Sequence, residues 1–224
     1  MDLKRGLTFV TRDPEWLVKL LIGTVISLIP IVNFIAIGYA MDVTRNVNNE
    51  RETPLPEWNE FGSQFIRGLL AAIIQFIWSL PLLVLLCPLM IPIISAANSE
   101  SGDPSGGAAL VAICVPILLL VGVVVLTPFI MAATTRFAIT NQFSEAMPGP
   151  VIREVRSNFK PWYVIVAASI GIGLVAAAFS FCTLGFGSIL FIPLSFYMQL
   201  VVAHWYAQAH RQSTGGAPIP PSMV

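Results

Sequence analysis

Hydrophobic and polar positions along the chain fall into long blocks, with little of the 3.6-residue stripe of a soluble helix or the alternation of an exposed strand. Residues 17–41 form an apolar run broken only by Lys19, Pro30 and Asn33. Residues 68–97 and 108–135 carry no charge at all, and residues 161–209 contain no Asp, Glu, Lys or Arg. About 20 apolar residues suffice for a helix to cross the hydrocarbon of a bilayer, so each block predicts at least one crossing. Pro81, Pro88 and Pro92 interrupt the second block and Pro116 and Pro128 the third, so a bend or a broken end is expected in the second. The two are joined by residues 98–107 (NSESGDPSGG), a short link of small polar residues, and are predicted to form an antiparallel pair. The fourth block is too long for one crossing, and its cluster of breakers at 182–187 (CTLGFG) divides it into two helices.

Shorter amphipathic stretches lie between these blocks. Leu3, Leu7 and Val10 recur at helical spacing opposite Lys4, Arg5 and Thr8, which fits a surface helix, with a frayed tail as the alternative. Trp58, Phe61 and Phe65 fit a second such helix, or Trp58 anchors a loop at the headgroups. Val151, Ile152, Val155 and Phe159 line one face of a third, with Arg153, Glu154, Arg156 and Lys160 on the other. Asp13 before Pro14 reads as an N-cap opening a new helix. Ala167 with Gly171, and Gly173 with Ala177, predict close helix contacts in lipid. The Gly- and Pro-rich tail, residues 212–224, is expected to be disordered, leaving 1–211 as a single membrane domain.

Composition agrees with this picture: 56% of residues are hydrophobic and only 11% charged, far from the balance of a soluble domain. Twelve basic residues match twelve acidic ones, which gives no reason to expect nucleic acid as a partner. Three scattered cysteines, Cys87, Cys114 and Cys182, argue against a disulfide framework. The first apolar run is too long for a signal-peptide core and follows Asp13 and Glu15, so it is expected to stay in the mature protein.

Positive charge then decides between two threadings, because Lys and Arg near the ends of spans are retained on the cytoplasmic side. If residues 17–41 cross once, the basic residues divide 4 to 8 between the two sides of the membrane. If the run bends back at Pro30, with Asn33 beside it, all 12 fall on one side. The second division is much the stronger agreement, and it favours a proline-bent, re-entrant hairpin with both termini cytoplasmic; a single kinked span is the alternative.

Candidate chemistry is sparse. Lys19 is the only ionisable group inside an apolar run, and it lies near enough to the end to snorkel. Gln75 and Gln199 are the remaining polar positions at depth, read as interhelical hydrogen bonds, with ligand contact as the alternative. His204 and His210 are six apart and cannot share a metal from one helix, so they read as interfacial residues. The acids Asp42, Glu50, Glu52, Glu57 and Glu60 alternate with arginines and read as a solvated face. No nucleophile and base can be paired, so no enzyme, metal or cofactor is expected.

Around the first loop stand Gly38-Tyr39, Arg45-Asn46-Val47, Leu55-Pro56-Glu57-Trp58 and Gly68; further on come Pro128, Arg136-Phe137-Ala138 and residues 143–147. This pattern resembles the uncharacterised prokaryotic multi-pass membrane family known as domain of unknown function 4013, over about residues 16–208. The resemblance implies a helical membrane protein and brings no catalytic residue with it; Pro30, Asn33, Leu55, Pro56, Trp58 and Gly68 are marked as structural or topological positions.

The fold class expected is therefore all-α: a polytopic bundle in the plasma membrane, with an N-terminal hairpin, about four full spans and interfacial helices. Two functions of different class are carried, the first as the expected reading and the second as the alternative. One is a non-enzymatic membrane scaffold or interaction protein, with membrane lipids, a second copy of the chain or another membrane protein as partners. The other is a permease or transport component for a neutral or lipid-like solute.

Overall fold

The computed structural model describes residues 3–51, 53–97, 106–183 and 188–215, and every regular element among them is a helix. In chain order these are α1 (Leu3–Thr8), α2 (Trp16–Ser27), α3 (Asn33–Asn48), α4 (Phe61–Ala97), α5 (Gly106–Thr140), α6 (Pro148–Ser157), α7 (Lys160–Cys182) and α8 (Ser188–Ser213), with short 3₁₀ turns at Val10–Arg12 and Phe143–Ala146. Three stretches are long and apolar enough to cross a membrane: Phe61–Pro88, Cys114–Thr140 and Lys160–Cys182. The breaks before α5 and α8 fall largely on residues 98–105 and 184–187, outside the described residues, as do residues 216–224 of the tail; α8 itself continues through Ser213.

The first apolar run is two helices. α2 ends at Ser27, the chain turns through residues 28–32, and α3 begins at Asn33, whose N–H donates to the carbonyl of Ile29 at 2.8 Å. Pro30 is exposed in that turn, where a proline in a continuous helix would remove a hydrogen bond and clash with the preceding turn. α3 then continues seven residues beyond the apolar run, through Asp42 to Asn48, because the polar side chains of that segment find partners inside the protein. α4 runs 37 residues through Pro81, Pro88 and Pro92 as one helix, so the broken end expected there does not occur.

α3 is the central element. Ala36, Gly38, Tyr39, Val43 and Asn48 are among its buried residues, with α2, α4, α5 and α8 packed around it. The closest approach is to α4. A methyl group on Gly38 would lie 1.9 Å from the Gln64 carbonyl oxygen, and one on Gly68 would lie 1.8 Å from that of Phe34. The two helices therefore meet backbone to backbone. The small pairs of α7 do not behave this way: Ala167, Gly171, Gly173 and Ala177 are all exposed, and nothing lies within 4 Å of a methyl group placed on Gly171 or Gly173. Spacing alone marks where helices can meet, and here the α7 surface faces outward.

The amphipathic stretches are tied into the bundle. Of the predicted face Leu3 packs against the core and Val10 is buried, while Leu7 is exposed and Gly6 and Phe9 are buried in its place. Trp58 lies in the loop rather than on a helix, and Phe61 opens α4 directly, which removes the second surface helix. α6 is a helix as expected, but it buries Glu154 with Val151 and Val155 while Ile152 and Phe159 face out.

Gly68→Ala should separate α3 from α4 and lower stability by about 2 kcal/mol or more. Gly171→Ala, in open space on α7, should be neutral or stabilising by up to about 1 kcal/mol. Thermal unfolding in detergent, followed by circular dichroism, distinguishes these outcomes; equal effects at the two sites would contradict the assigned contact.

Candidate functional site

The charged groups gather where the loops meet. Asp42, only 5% exposed, accepts hydrogen bonds from Arg45 Nη2 through Oδ1 and from Arg67 Nη2 through Oδ2, both at 2.8 Å. Burial pushes the Asp42 carboxyl above its ordinary range against the pull of Arg67 and Arg45. Lys19 Nζ lies 3.0 Å from Asp13 Oδ2 and 2.7 Å from Glu57 Oε1. Burial alone would lower this ammonium, but the hydrogen bonds to Glu57 and Asp13 outweigh it and hold the group above the usual lysine range. Glu154 Oε2 accepts from Arg136 Nη1 at 2.8 Å, and Oε1 meets His210 Nδ1 at 2.7 Å; Arg136 also pairs with Glu145. Arg211 pairs with Glu50, and the Ser157 hydroxyl donates to the Ser213 carbonyl. These links join the N-terminal segment, the loop after α3, the α5–α6 connection and the end of α8 at one end of the bundle.

The Leu55-Pro56-Glu57-Trp58 turn is a brace around Tyr39. Leu55 is buried in the cluster that holds Tyr39, and the Pro56 carbonyl accepts the Tyr39 hydroxyl at 2.9 Å. Glu57 reaches Lys19, while the Trp58 ring stacks on Tyr39 with centroids 4.0 Å apart and its Nε1–H donates to the Lys19 carbonyl at 3.1 Å. Lys19, early in α2, and Tyr39, midway along α3, thus share one partner, so α2 and α3 run antiparallel beside the turn. Asn46 Nδ2 donates to the Pro54 carbonyl and fixes the other side of the loop.

Among the helices lies a cavity of about 400 Å³, lined by α3, α4, α5, α7 and α8. Its polar groups include Thr44, Gln75, Thr134, Ser169, Ser195 and Gln199; its apolar wall includes Ile37, Met41, Ile172 and Met198. No charged side chain is among its lining residues. The Thr44, Thr134 and Ser195 hydroxyls donate to backbone carbonyls, which leaves their oxygens free to accept. Among the described residues, neither carboxamide makes a hydrogen bond within the protein. The arrangement offers two amide donors and several acceptors beside apolar wall, suited to a neutral molecule.

Several sequence expectations change here. Gln75 and Gln199 do not bond across a helix interface; both reach the same cavity. Lys19 is buried in a double ion pair and does not snorkel. His204 and His210 are buried, His204 stacked on Phe9 and His210 bound to Glu154, so neither is a simple interfacial ring. The supposed solvated face contains Asp42, enclosed between two arginines, although Glu57 and Glu60 do remain exposed. Pro30 and Asn33 mark the turn, and Leu55, Pro56, Trp58 and Gly68 all serve the contacts of α3. Among the described residues no group of three or more His, Cys, Asp or Glu side chains could hold a metal.

Lys19→Met leaves the buried Asp13 carboxylate without its cation and should cost about 3 kcal/mol. Adding Asp13→Asn should recover much of that loss, since it removes the stranded charge. Chemical unfolding of the two single variants and the double variant tests this; a double variant as unstable as the summed singles would rule the coupling out.

Comparison with known proteins agrees with the pattern of the first loop. No curated protein and no solved structure matches the chain. The family described as "Protein of unknown function (DUF4013)" matches residues 22–186, which include Tyr39, the Leu-Pro-Glu-Trp turn, Gly68 and the Arg136–Glu154 pair. That match covers most of the chain, and the protein belongs to this family of unknown function.

Proposed function

We propose that the protein is a multi-pass membrane protein that binds, and passes across or within the bilayer, a neutral or lipid-like molecule held in the cavity beside Gln75 and Gln199. The observation that carries this reading is that Gln75 and Gln199, neither hydrogen-bonded to another described residue, line one uncharged space. Gln75 is exposed and Gln199 half-buried, so both carboxamides are open to a guest, and a ligand that meets them gains hydrogen bonds in exchange for those to water. The absence of charged groups from the lining, among the described residues, favours an uncharged ligand over an ion.

In this reading α4, α5, α7 and α8 are the four spans, and α2–α3 enters and leaves from one side. Supporting it are the exposed apolar side chains of α2, including Leu17, Leu21 and Val25, with Ile29 in the turn, and the ion pairs that draw both sides of the hairpin to the charged end. Both termini and all basic loops then lie on the cytoplasmic side of the plasma membrane. A scaffold role is less well supported, because the amphipathic stretches spend their buried faces on this chain itself: Phe9 and Val10 pack into one core cluster and Val151 and Val155 into the other.

Full-length protein in vesicles should accelerate either glycerol permeation or transbilayer movement of fluorescent phosphatidylcholine. Gln75→Leu with Gln199→Leu should reduce that rate by about ten-fold without lowering thermal stability. No acceleration of either, or a rate untouched by both substitutions, would sink the proposal. For the threading, single cysteines at Glu50 and Arg153, in a background with Cys87, Cys114 and Cys182 replaced, should both react only from the cytoplasmic side. Labelling of the Glu50 position from outside would instead indicate a single kinked span.

A further inference from the structure

A second cavity, of about 830 Å³, opens at the charged end of the bundle and is separate in its lining from the one beside Gln75. Its walls come from three places distant in sequence: Arg5, Phe9, Arg12 and Asp13; Glu50, Arg51 and Thr53 after α3; and His204, Gln208 and Arg211 on α8. Four arginines face two carboxylates, and both carboxylates are already engaged. Asp13 binds Lys19 through Oδ2 and the Glu15 N–H through Oδ1, and Glu50 pairs with Arg211. Among the described residues no ion pair involves Arg12 or Arg51. Among the described residues the space therefore presents two guanidinium groups outside any ion pair, beside the stacked rings of Phe9 and His204, 4.7 Å between centroids.

We propose that this cavity binds a phosphate group, held by Arg12 and Arg51. Guanidinium groups recognise phosphate through paired, charge-assisted hydrogen bonds, and a partly enclosed site strengthens them relative to open water. Arg12 and Arg51, both exposed, line one volume large enough for a headgroup or a small phosphate ester. The position favours a lipid source. Leu7, between Arg5 and Phe9, and Leu17, four residues after Asp13, are exposed apolar residues of the same N-terminal segment, so the segment that forms this wall also offers apolar surface to lipid. On the cytoplasmic leaflet, where the proposed threading places this end, anionic phospholipids are the abundant phosphate carriers. The phosphate site itself stands on its own residues and does not depend on the solute assigned to the Gln75 cavity.

The test titrates purified full-length protein with short-chain phosphatidylglycerol, with short-chain phosphatidylcholine, and with inorganic phosphate, reading each by native mass spectrometry and intrinsic tryptophan fluorescence. Saturable binding of phosphatidylglycerol should weaken by about ten-fold or more in Arg12→Gln with Arg51→Gln. Lys160→Gln, which removes an exposed cation outside the cavity, should leave it unchanged. Both substituted arginines are exposed, and unaltered circular dichroism checks that the fold is retained. Binding of inorganic phosphate with the same dependence on Arg12 and Arg51 supports the site with a free phosphate as its ligand; binding of phosphatidylglycerol alone supports a lipid headgroup. No saturable binding of any of the three, or equal loss in the Lys160 variant, overturns the proposal.

Discussion

Backbone contact between α3 and α4 governs the rest of the packing. Without side chains at Gly38 and Gly68 the two helices close to a separation that admits no methyl group, which places Asp42 of α3 beside Arg67 of α4 and encloses both. Once α3 is fixed, its other faces follow: Tyr39 is turned to the Leu-Pro-Glu-Trp loop, Thr44 to α8 through a bond to the Ala203 carbonyl, and Met41 to the cavity. Hydrophobic burial could not supply this order alone, because apolar side chains exchange for one another freely when the surroundings are apolar too. Close backbone approach and directional polar bonds do specify one arrangement.

The same distinction explains what could be read from the amino-acid sequence. Long uncharged blocks give helices directly, and Pro30 marks the turn between α2 and α3, since both depend on local chemistry. The Leu55–Trp58 turn stands out as a motif, although its role as a brace on Tyr39 requires the fold. Burial of charge was not legible: Asp42 and Glu57 stand in one acidic stretch, yet only the first is enclosed, because Arg67 reaches it from the next helix. The cavity was half legible. Gln75 and Gln199 stand out as polar residues in apolar runs, but whether two such groups face each other, a neighbouring helix or an open space depends on how α4 and α8 are placed around α3. The pairs at Ala167–Gly171 and Gly173–Ala177 show the converse failure, a correct local pattern at exposed positions where no neighbouring helix comes close to Gly171 or Gly173.

Charge and hydrogen-bonding capacity are sorted along the bundle. Ion pairs concentrate at the loop end, where Glu154 alone connects α5, α6 and α8 through Arg136 and His210. Enclosure makes these pairs costly to break and so keeps the loops in register. The interior between the long helices holds amides and hydroxyls without formal charge. Such a division puts the directional ion pairs at the loop end and leaves the uncharged polar groups to the space among the helices.

α4 also carries a geometric consequence. Its apolar stretch Phe61–Pro88 has 28 residues, about 42 Å of helix at 1.5 Å per residue. That exceeds the roughly 30 Å of a typical hydrocarbon core. If α4 crosses as proposed, part of this length lies beyond the hydrocarbon, and Arg67, seven residues into it, is paired with Asp42 at the charged end.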